Sequence, residues 1–496
     1  MSAELNAARA RIARAYDAEF VRLAGRRLVE LLADHLRRVE HGEGPVLHWR
    51  SPPENVADAR KTLESTPCGE PSAERCADLA RTILARGQNL HHPHYVGHQV
   101  PASIPLAGLF DAIGAVTNQV MAVYEMGPWA TAVERAVIEE IGACLGFPAG
   151  RFAGLITHGG SLANLTALLT ARNVALQHVW ERGLSNTAPS PVLVVQSDVH
   201  YSIARAAGIL GLGTNQVIQV GLDERRRMNP RDLETILTRL QTERRPVIAV
   251  AAGSCATPIG AFDPLEEIAP ICRKFGVWLH VDAAHGGAAC FSDRHRHLVA
   301  GLDQADSVVF DAHKMLFMPA LCAIVFYREA RHRFEAFRQN APYLFDPAAP
   351  GLADYDVGLT TLECTKRAQA FGLWGVWSLF GRQLFADLVD VTFDLGRKFY
   401  ERLSAAEDFV PLHEPQCNIV AFRHVPPRLR NASPEELGRF QLALRRQVIE
   451  SGEFYLVPTS CDGVGALRVT FMNPLTTEDD LCELLETLRR AGTALG

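Results

Sequence analysis

The sequence predicts an α/β protein: a mostly parallel central sheet with helices on both faces, followed by a smaller carboxyl-terminal α/β unit. Three observations carry this. Between about residues 90 and 385, short apolar runs alternate with stretches of helical periodicity. Two of the runs, Val277-Trp278-Leu279 and Val308-Val309-Phe310, lead directly into residues that carry chemistry, Asp282 and the pair His313-Lys314. Beyond about 385, a long helical stretch gives way to a second, shorter set of strands and helices.

In chain order, residues 4–40 place Phe20, Leu23, Leu28, Leu31 and Leu32 at helical spacing, which predicts one helix whose stripe must be buried against something. A Pro- and charge-rich connector, Ser51-Pro52-Pro53, follows. Strands are predicted over 192–196, 247–252, 277–281, 307–310 and 323–327, with helices between them such as 230–241 and 264–275. The last part predicts strands over 418–422 and 467–471 and helices over 435–450 and 477–490. The expected division is 1–90 as an amino-terminal helical segment, 91–385 as the large domain and 386–496 as the small one.

Composition narrows the function. With 496 residues, 48% hydrophobic and 21% charged, the chain supports a large core without a metal or disulfide staple. A net charge of −6 and short Arg clusters interleaved with acids argue against nucleic acid as a partner. No apolar run is long enough to cross a membrane, and the Arg-rich start is interrupted by Glu4, Asp17 and Glu19, so a cytoplasmic protein is expected. The eleven cysteines are scattered and odd in number, as for reduced thiols. In His91-His92-Pro93-His94 the proline spoils helical ligand spacing, and no metal site is expected.

A lysine amine that attacks an aldehyde and an aspartate that keeps a proton on a ring nitrogen are what pyridoxal phosphate (PLP) requires of a protein. Lys314 and Asp282, each behind an apolar strand, suit those two tasks at the edge where open α/β sheets bind ligands. Thr157-His158-Gly159-Gly160-Ser161 runs into a helical segment, so Gly159, Gly160 and Ser161 offer a close backbone approach and free N–H groups to a phosphate. His200, after another strand, can stack on a pyridine ring and move protons near neutral pH. His313 can donate to the phosphate.

The run His280-Val281-Asp282-Ala283-Ala284 with Gly286-Gly287, then Ala305-Asp306-Ser307 and Asp311-Ala312-His313-Lys314, resembles the group II PLP-dependent amino acid decarboxylases. These include the glutamate, cysteine sulfinate, aromatic amino acid and diaminobutyrate enzymes. The likeness extends from about residue 92 to 477 and takes in Gly260 through Leu265 and Leu467-Arg468-Val469-Thr470. It implies a fold type I (aspartate aminotransferase-like) homodimer and the loss of carbon dioxide from an L-amino acid. By position it makes Lys314 the lysine bonded to PLP, Asp282 the partner of the ring nitrogen, His200 the ring-stacking group and Ala284 the small residue on the opposite ring face. Tyr343 falls at the mobile-loop tyrosine that returns a proton to the substrate carbon.

Several positions depart from the family pattern. Asp311 stands where a phosphate-binding Asn is frequent, and charge repulsion predicts that it points elsewhere. Either Ser254 or Thr257 supplies a hydroxyl to the cofactor, with Thr257 preferred. Lys366 replaces an arginine that grips the substrate carboxylate, with Arg367 as the alternative. His98 and Gln99 add polar groups near the expected pocket. Tyr124-Glu125-Met126-Gly127-Pro128 leans toward a polar or acidic substrate. Oxidative deamination or carbon–carbon cleavage on the same scaffold, and a non-catalytic homologue, are the competing readings.

Overall fold

Seven strands form the central sheet in the computed structural model, which describes residues 3–64, 71–184, 189–338 and 353–495. They are β1 (Ala153–Thr157), β2 (Val192–Gln196), β3 (Val217–Val220), β4 (Val247–Gly253), β5 (Trp278–Asp282), β6 (Ser307–Asp311) and β7 (Ala323–Tyr327). Their spatial order is β1-β7-β6-β5-β4-β2-β3, and only β7 runs antiparallel to its neighbours. The carboxyl ends of β1, β2, β4, β5 and β6 therefore share one edge.

Alternation along the strands builds two separate cores. Val192, Val194, Val250, Val281, Val308 and Phe310 face the layer containing helices Pro128–Cys144, Pro230–Thr242 and Leu265–Phe275. Leu193, Val195, Ala249, Ala251 and Val309 face the helices Gly160–Ala175 and Ser202–Ile209. Strands buried on both sides read as continuous apolar runs, and for that reason the central ones were legible. The two strands not predicted, β1 and β3, are the edges of the sheet. Both are only partly covered, which weakens their apolar contrast.

The carboxyl-terminal part folds around a second, antiparallel sheet of β8 (Phe409–Pro411), β9 (Ile419–His424), β10 (Val457–Cys461) and β11 (Val464–Thr470), in the order β8-β9-β11-β10. Helices Gln383–Ala405, Pro434–Ser451 and Glu478–Ala494 cover it through Phe399, Leu444 and Leu484. Strand β10 escaped prediction because Pro458 and two hydroxyl residues interrupt it, and proline is tolerated here at a sheet edge.

The amino-terminal prediction of one helix is corrected to two, Ala3–Ala15 and Ala18–Glu40. Asp17 breaks the run by accepting a hydrogen bond from the Glu19 N–H as an N-cap. The supposed connector at Ser51-Pro52-Pro53 opens a helix, Pro52–Glu64, since proline in a first turn forfeits no hydrogen bond. Among the described residues, no helix is long and apolar enough to cross a membrane.

Candidate active site

Strand β1 ends at Thr157, and the chain turns through Gly159 at φ 98° into the helix Gly160–Ala175, whose first turn carries no side-chain cap. Its uncapped N–H groups and dipole favour an anion. Gly160 is required by space as well: a Cβ there would lie 2.9 and 3.0 Å from the two carboxylate oxygens of Asp311. This corrects the expectation that Asp311 turns away. It is buried beside the cup, with Oδ2 3.2 Å from Lys314 Nζ and Oδ1 without a partner. The lysine cation three residues on supplies the attraction that holds it there.

Asp282 ends β5 and is fixed through both oxygens. Oδ1 accepts from the Ala284 N–H at 3.2 Å, and Oδ2 accepts from Asn164 Nδ2 at 2.9 Å. Behind it runs a buried chain of hydrogen bonds. Trp278 Nε1 donates to Ser307 Oγ, His280 Nδ1 lies 2.9 Å from the same oxygen, and His280 Nε2 lies 2.9 Å from Asn164 Oδ1. Since the Asn164 amide nitrogen is engaged in donating, its oxygen accepts from His280 Nε2–H, and Nδ1 accepts from the Ser307 hydroxyl. Burial pulls the His280 pKa down to about 4, so the ring is neutral at pH 7.

Asn164 also donates to Ser202 Oγ at 3.0 Å. That hydroxyl lies 2.8 Å from His200 Nδ1, and the Ser202 N–H points at the same nitrogen from 3.3 Å. His200 Nδ1 is thus the acceptor, leaving Nε2 to carry the ring proton. Burial lowers the pKa of His200, against an opposing pull from Asp282. For Lys314, burial disfavours the ammonium, but Asp311 and Asp282 outweigh it and the pKa is raised. His313 is held by the Cys322 carbonyl, 2.8 Å from Nδ1, with Nε2 3.6 Å from Asp311.

One cavity brings together Gly159, Gly160 and Ser161 with His200, Asp282 and Ala284, and also His313, Lys314, Thr257 and Gln99. Two of the described site residues predicted from sequence are not part of it. His98 is solvent-exposed against the Tyr455 ring. Lys366 is fully buried elsewhere: its ammonium contacts both oxygens of Glu134 at 2.7 and 2.6 Å and the Ile156 carbonyl at 2.7 Å, so no donor is left for a substrate. A buried ammonium is retained only with such partners, and that need drew it inward. Tyr343 lies outside the described residues. Ser254 is buried and does not line the cavity, whereas Thr257 does.

Sequence reasoning missed two residues. Asn164 lies one turn into the helix that follows the glycine motif, and nothing local marks it as the partner of Asp282. Arg468 sits on β11, 7% exposed, with Nη1 donating to the Thr257 carbonyl at 2.8 Å, Nε unpartnered, and no carboxylate partner among the described residues. Burial draws its pKa down to about 10, which still leaves it cationic at neutral pH. Its signal was a charged residue inside an apolar strand pattern, Leu467-Arg468-Val469.

An anion cup with a glycine cradle, a fixed carboxylate and an amine in one cavity fit PLP in its phosphate, ring nitrogen and aldehyde. Comparisons agree. The pyridoxal-dependent decarboxylase conserved domain matches residues 60–425. Mouse acidic amino acid decarboxylase GADL1 is 31% identical over 455 residues, 90% of this chain and 82% of that protein. Rat cysteine sulfinic acid decarboxylase is 31% identical over 468 residues, 93% and 94% of the two chains. The crystal structure of mouse CSAD in apo form superposes with a TM-score of 0.86 at 29% identity, covering 95% of this chain and 99% of that one. Rice TDC with PLP and tryptamine shares the fold, with a TM-score of 0.87 at 20% identity over 97% and 99%. The chain belongs to the pyridoxal-dependent decarboxylase family, and its activity is the PLP-dependent removal of carbon dioxide from an amino acid.

Proposed function

We propose that the substrate is an L-amino acid with an acidic side chain, and that the reaction is carried by Lys314, Asp282 and His200, with Arg468 holding a substrate carboxylate. The observation that carries the substrate class is Arg468: a buried guanidinium without an acidic partner among the described residues, bonded to the cavity residue Thr257. A cation kept dry without a counter-ion is costly unless a ligand supplies one. The relatives named for acidic amino acids and cysteine sulfinic acid support the same class.

Bound PLP supplies a ring that withdraws the electron pair left at the substrate Cα as carbon dioxide departs. In this reading Lys314 would hold the cofactor at its aldehyde carbon. Gly159, Gly160, Ser161 and His313 hold the phosphate, and Thr257 adds a hydroxyl. Asp282 keeps a proton at the ring nitrogen, its oxygens fixed by Asn164 and Ala284. Neutral His200 presents Nε2–H at the ring face opposite Ala284. Tyr343, from the sequence pattern, returns the proton to the substrate carbon. Gln99 contributes a polar contact.

The assembly in this reading is a cytoplasmic homodimer, divided as 1–90, 91–385 and 386–496. The helix Pro105–Val116 exposes Leu106, Leu109, Ile113 and Val116 on one face, and Ala18–Glu40 exposes Val21, Leu23, Val29 and Leu32. Apolar faces of this kind mark association surfaces. Every described cysteine is a free thiol, in keeping with a reducing compartment.

The test is turnover by the PLP-loaded enzyme on cysteine sulfinate, aspartate, glutamate, diaminobutyrate and tryptophan, with carbon dioxide and amine both quantified. Preference for the acidic substrates, lost in Arg468→Met through a raised KM, supports the assignment. Preference for tryptophan, or aldehyde with hydrogen peroxide as products, overturns it. Sedimentation equilibrium checks the dimer.

A further inference from the structure

Three soft-metal ligands converge on the wall of the active-site cavity: Cys255 after β4, His285 after β5 and Cys417 ahead of β9, all buried. Their ligand atoms lie within 4.8 Å of one another, and the two sulfurs are 3.9 Å apart. Two thiolates sharing a tetrahedral zinc with Zn–S bonds of ~2.3 Å stand about 3.8 Å apart. A disulfide needs ~2.05 Å. The observed spacing, a thiol–thiol hydrogen bond as it stands, is one that a metal-bridged pair would keep.

The third ligand is prepared by its own partner. Asn418 Nδ2 donates to the Phe471 carbonyl at 2.8 Å, so the Asn418 oxygen faces His285 Nε2, 2.8 Å away, and accepts its proton. Nδ1 of His285 is left as a bare lone pair, buried and without a partner. A metal-binding histidine with its second nitrogen fixed by an amide oxygen has this arrangement. Gly260 holds the sulfur in place: a Cβ there would come within 2.5 Å of Cys417 Sγ, which donates to the Gly260 carbonyl.

We propose that Cys255, Cys417 and His285 Nδ1 form a binding site for a thiophilic divalent cation of the zinc class, with the fourth position open to the cavity. Binding forms two metal–sulfur bonds and one metal–nitrogen bond and releases the two thiol protons to solvent. The dication and two thiolates sum to zero, so the complex adds no net charge beside Lys314 and Arg468, the two cations that flank Cys255. Both Cys255 and His285 line the cavity, which gives the ion its entry. Because Cys417 belongs to the strand end of the smaller sheet and the other two to the larger, the ion would tie the two sheets together across the site.

The experiment is equilibrium dialysis of the PLP-loaded enzyme against zinc chloride with metal analysis, plus X-ray absorption at the zinc edge on the unaltered protein. One zinc per chain with two sulfur scatterers is expected. Asn418→Ala should weaken binding about 10–100-fold by freeing the His285 ring, and Cys417→Ser should abolish the sulfur-ligated zinc while decarboxylation without metal persists. A coordination shell of nitrogen and oxygen alone overturns the proposal, as does zinc stoichiometry unchanged in Cys417→Ser, or the mass loss of a Cys255–Cys417 disulfide in place of bound metal. Since absorption on the native chain needs no variant, a folding defect cannot mask the result, and none of these outcomes bears on the substrate class.

Discussion

Asn164 Nδ2 donates to Asp282 Oδ2 at 2.9 Å, and the same nitrogen lies 3.0 Å from Ser202 Oγ, the partner of His200. One amide therefore sets the orientation of both groups proposed to work on the cofactor ring. Asn164→Leu leaves Asp282, His280 and Ser202 each short of a buried hydrogen bond. At about 1–3 kcal/mol for such a loss, kcat is expected to fall roughly 10–100-fold. Steady-state kinetics, with PLP absorbance and circular dichroism as controls for loading and folding, check this.

The Asp311–Lys314 contact at 3.2 Å predicts a pH effect on loading. Lys314 must shed its proton to attack an aldehyde, and Asp311 and Asp282, outweighing burial, raise its pKa. Asp311→Asn removes one of those stabilising charges, so the amine becomes neutral at lower pH. The rate of PLP capture by the cofactor-free protein, followed by absorbance across pH, should have its midpoint moved downward in the variant. A midpoint left in place would show that Asp311 does not hold the ammonium.

Lys366 is expected to behave as a structural residue. Lys366→Met strands Glu134 in the interior, and breaking a buried ion pair costs about 3–5 kcal/mol. Denaturant unfolding should register that loss, while KM stays within experimental scatter of the parent. Pairing it with Glu134→Leu should recover most of the stability, because both charges then leave together.

Acid should destabilise the fold through two buried histidines. His280 and His285 have pKa values lowered to about 4 and about 3 by burial, against 6.5 for an exposed ring. The unfolded chain therefore binds protons first as pH falls below 6.5, and their contribution, complete above that value, is lost toward the folded values. From pH 6 to pH 5 the two together should remove roughly 2 kcal/mol of stability. Denaturant midpoints at pH 7, 6 and 5, taken on chelator-treated protein so that His285 carries no metal, would reveal the slope, and His285→Gln should shed about half of it.

The central strands were legible because burial on both faces makes them unbroken apolar runs, as in Val192 through Val195 and Val308 through Phe310. The edges were not: β1, β3 and β10 lack that contrast, and Pro52-Pro53 reads equally as a connector or a first helical turn. The same division runs through the site. Lys314 and Asp282 could be found because each stands at the end of an apolar run, and the glycines around residue 160 because they lead into a helix; a parallel sheet gathers its strand ends at one edge. Lys366 and His98 were placed wrongly because position along the chain does not say which way a side chain faces. The sequence by itself determined the class of chemistry, through residue types at strand ends. Only the tertiary structure decided that Asn164 orients Asp282, that Arg468 donates to the Thr257 carbonyl, and that Cys255, His285 and Cys417 meet. Those contacts join segments up to hundreds of residues apart, and the packing of helix on sheet and of sheet on sheet, not local periodicity, sets their distances.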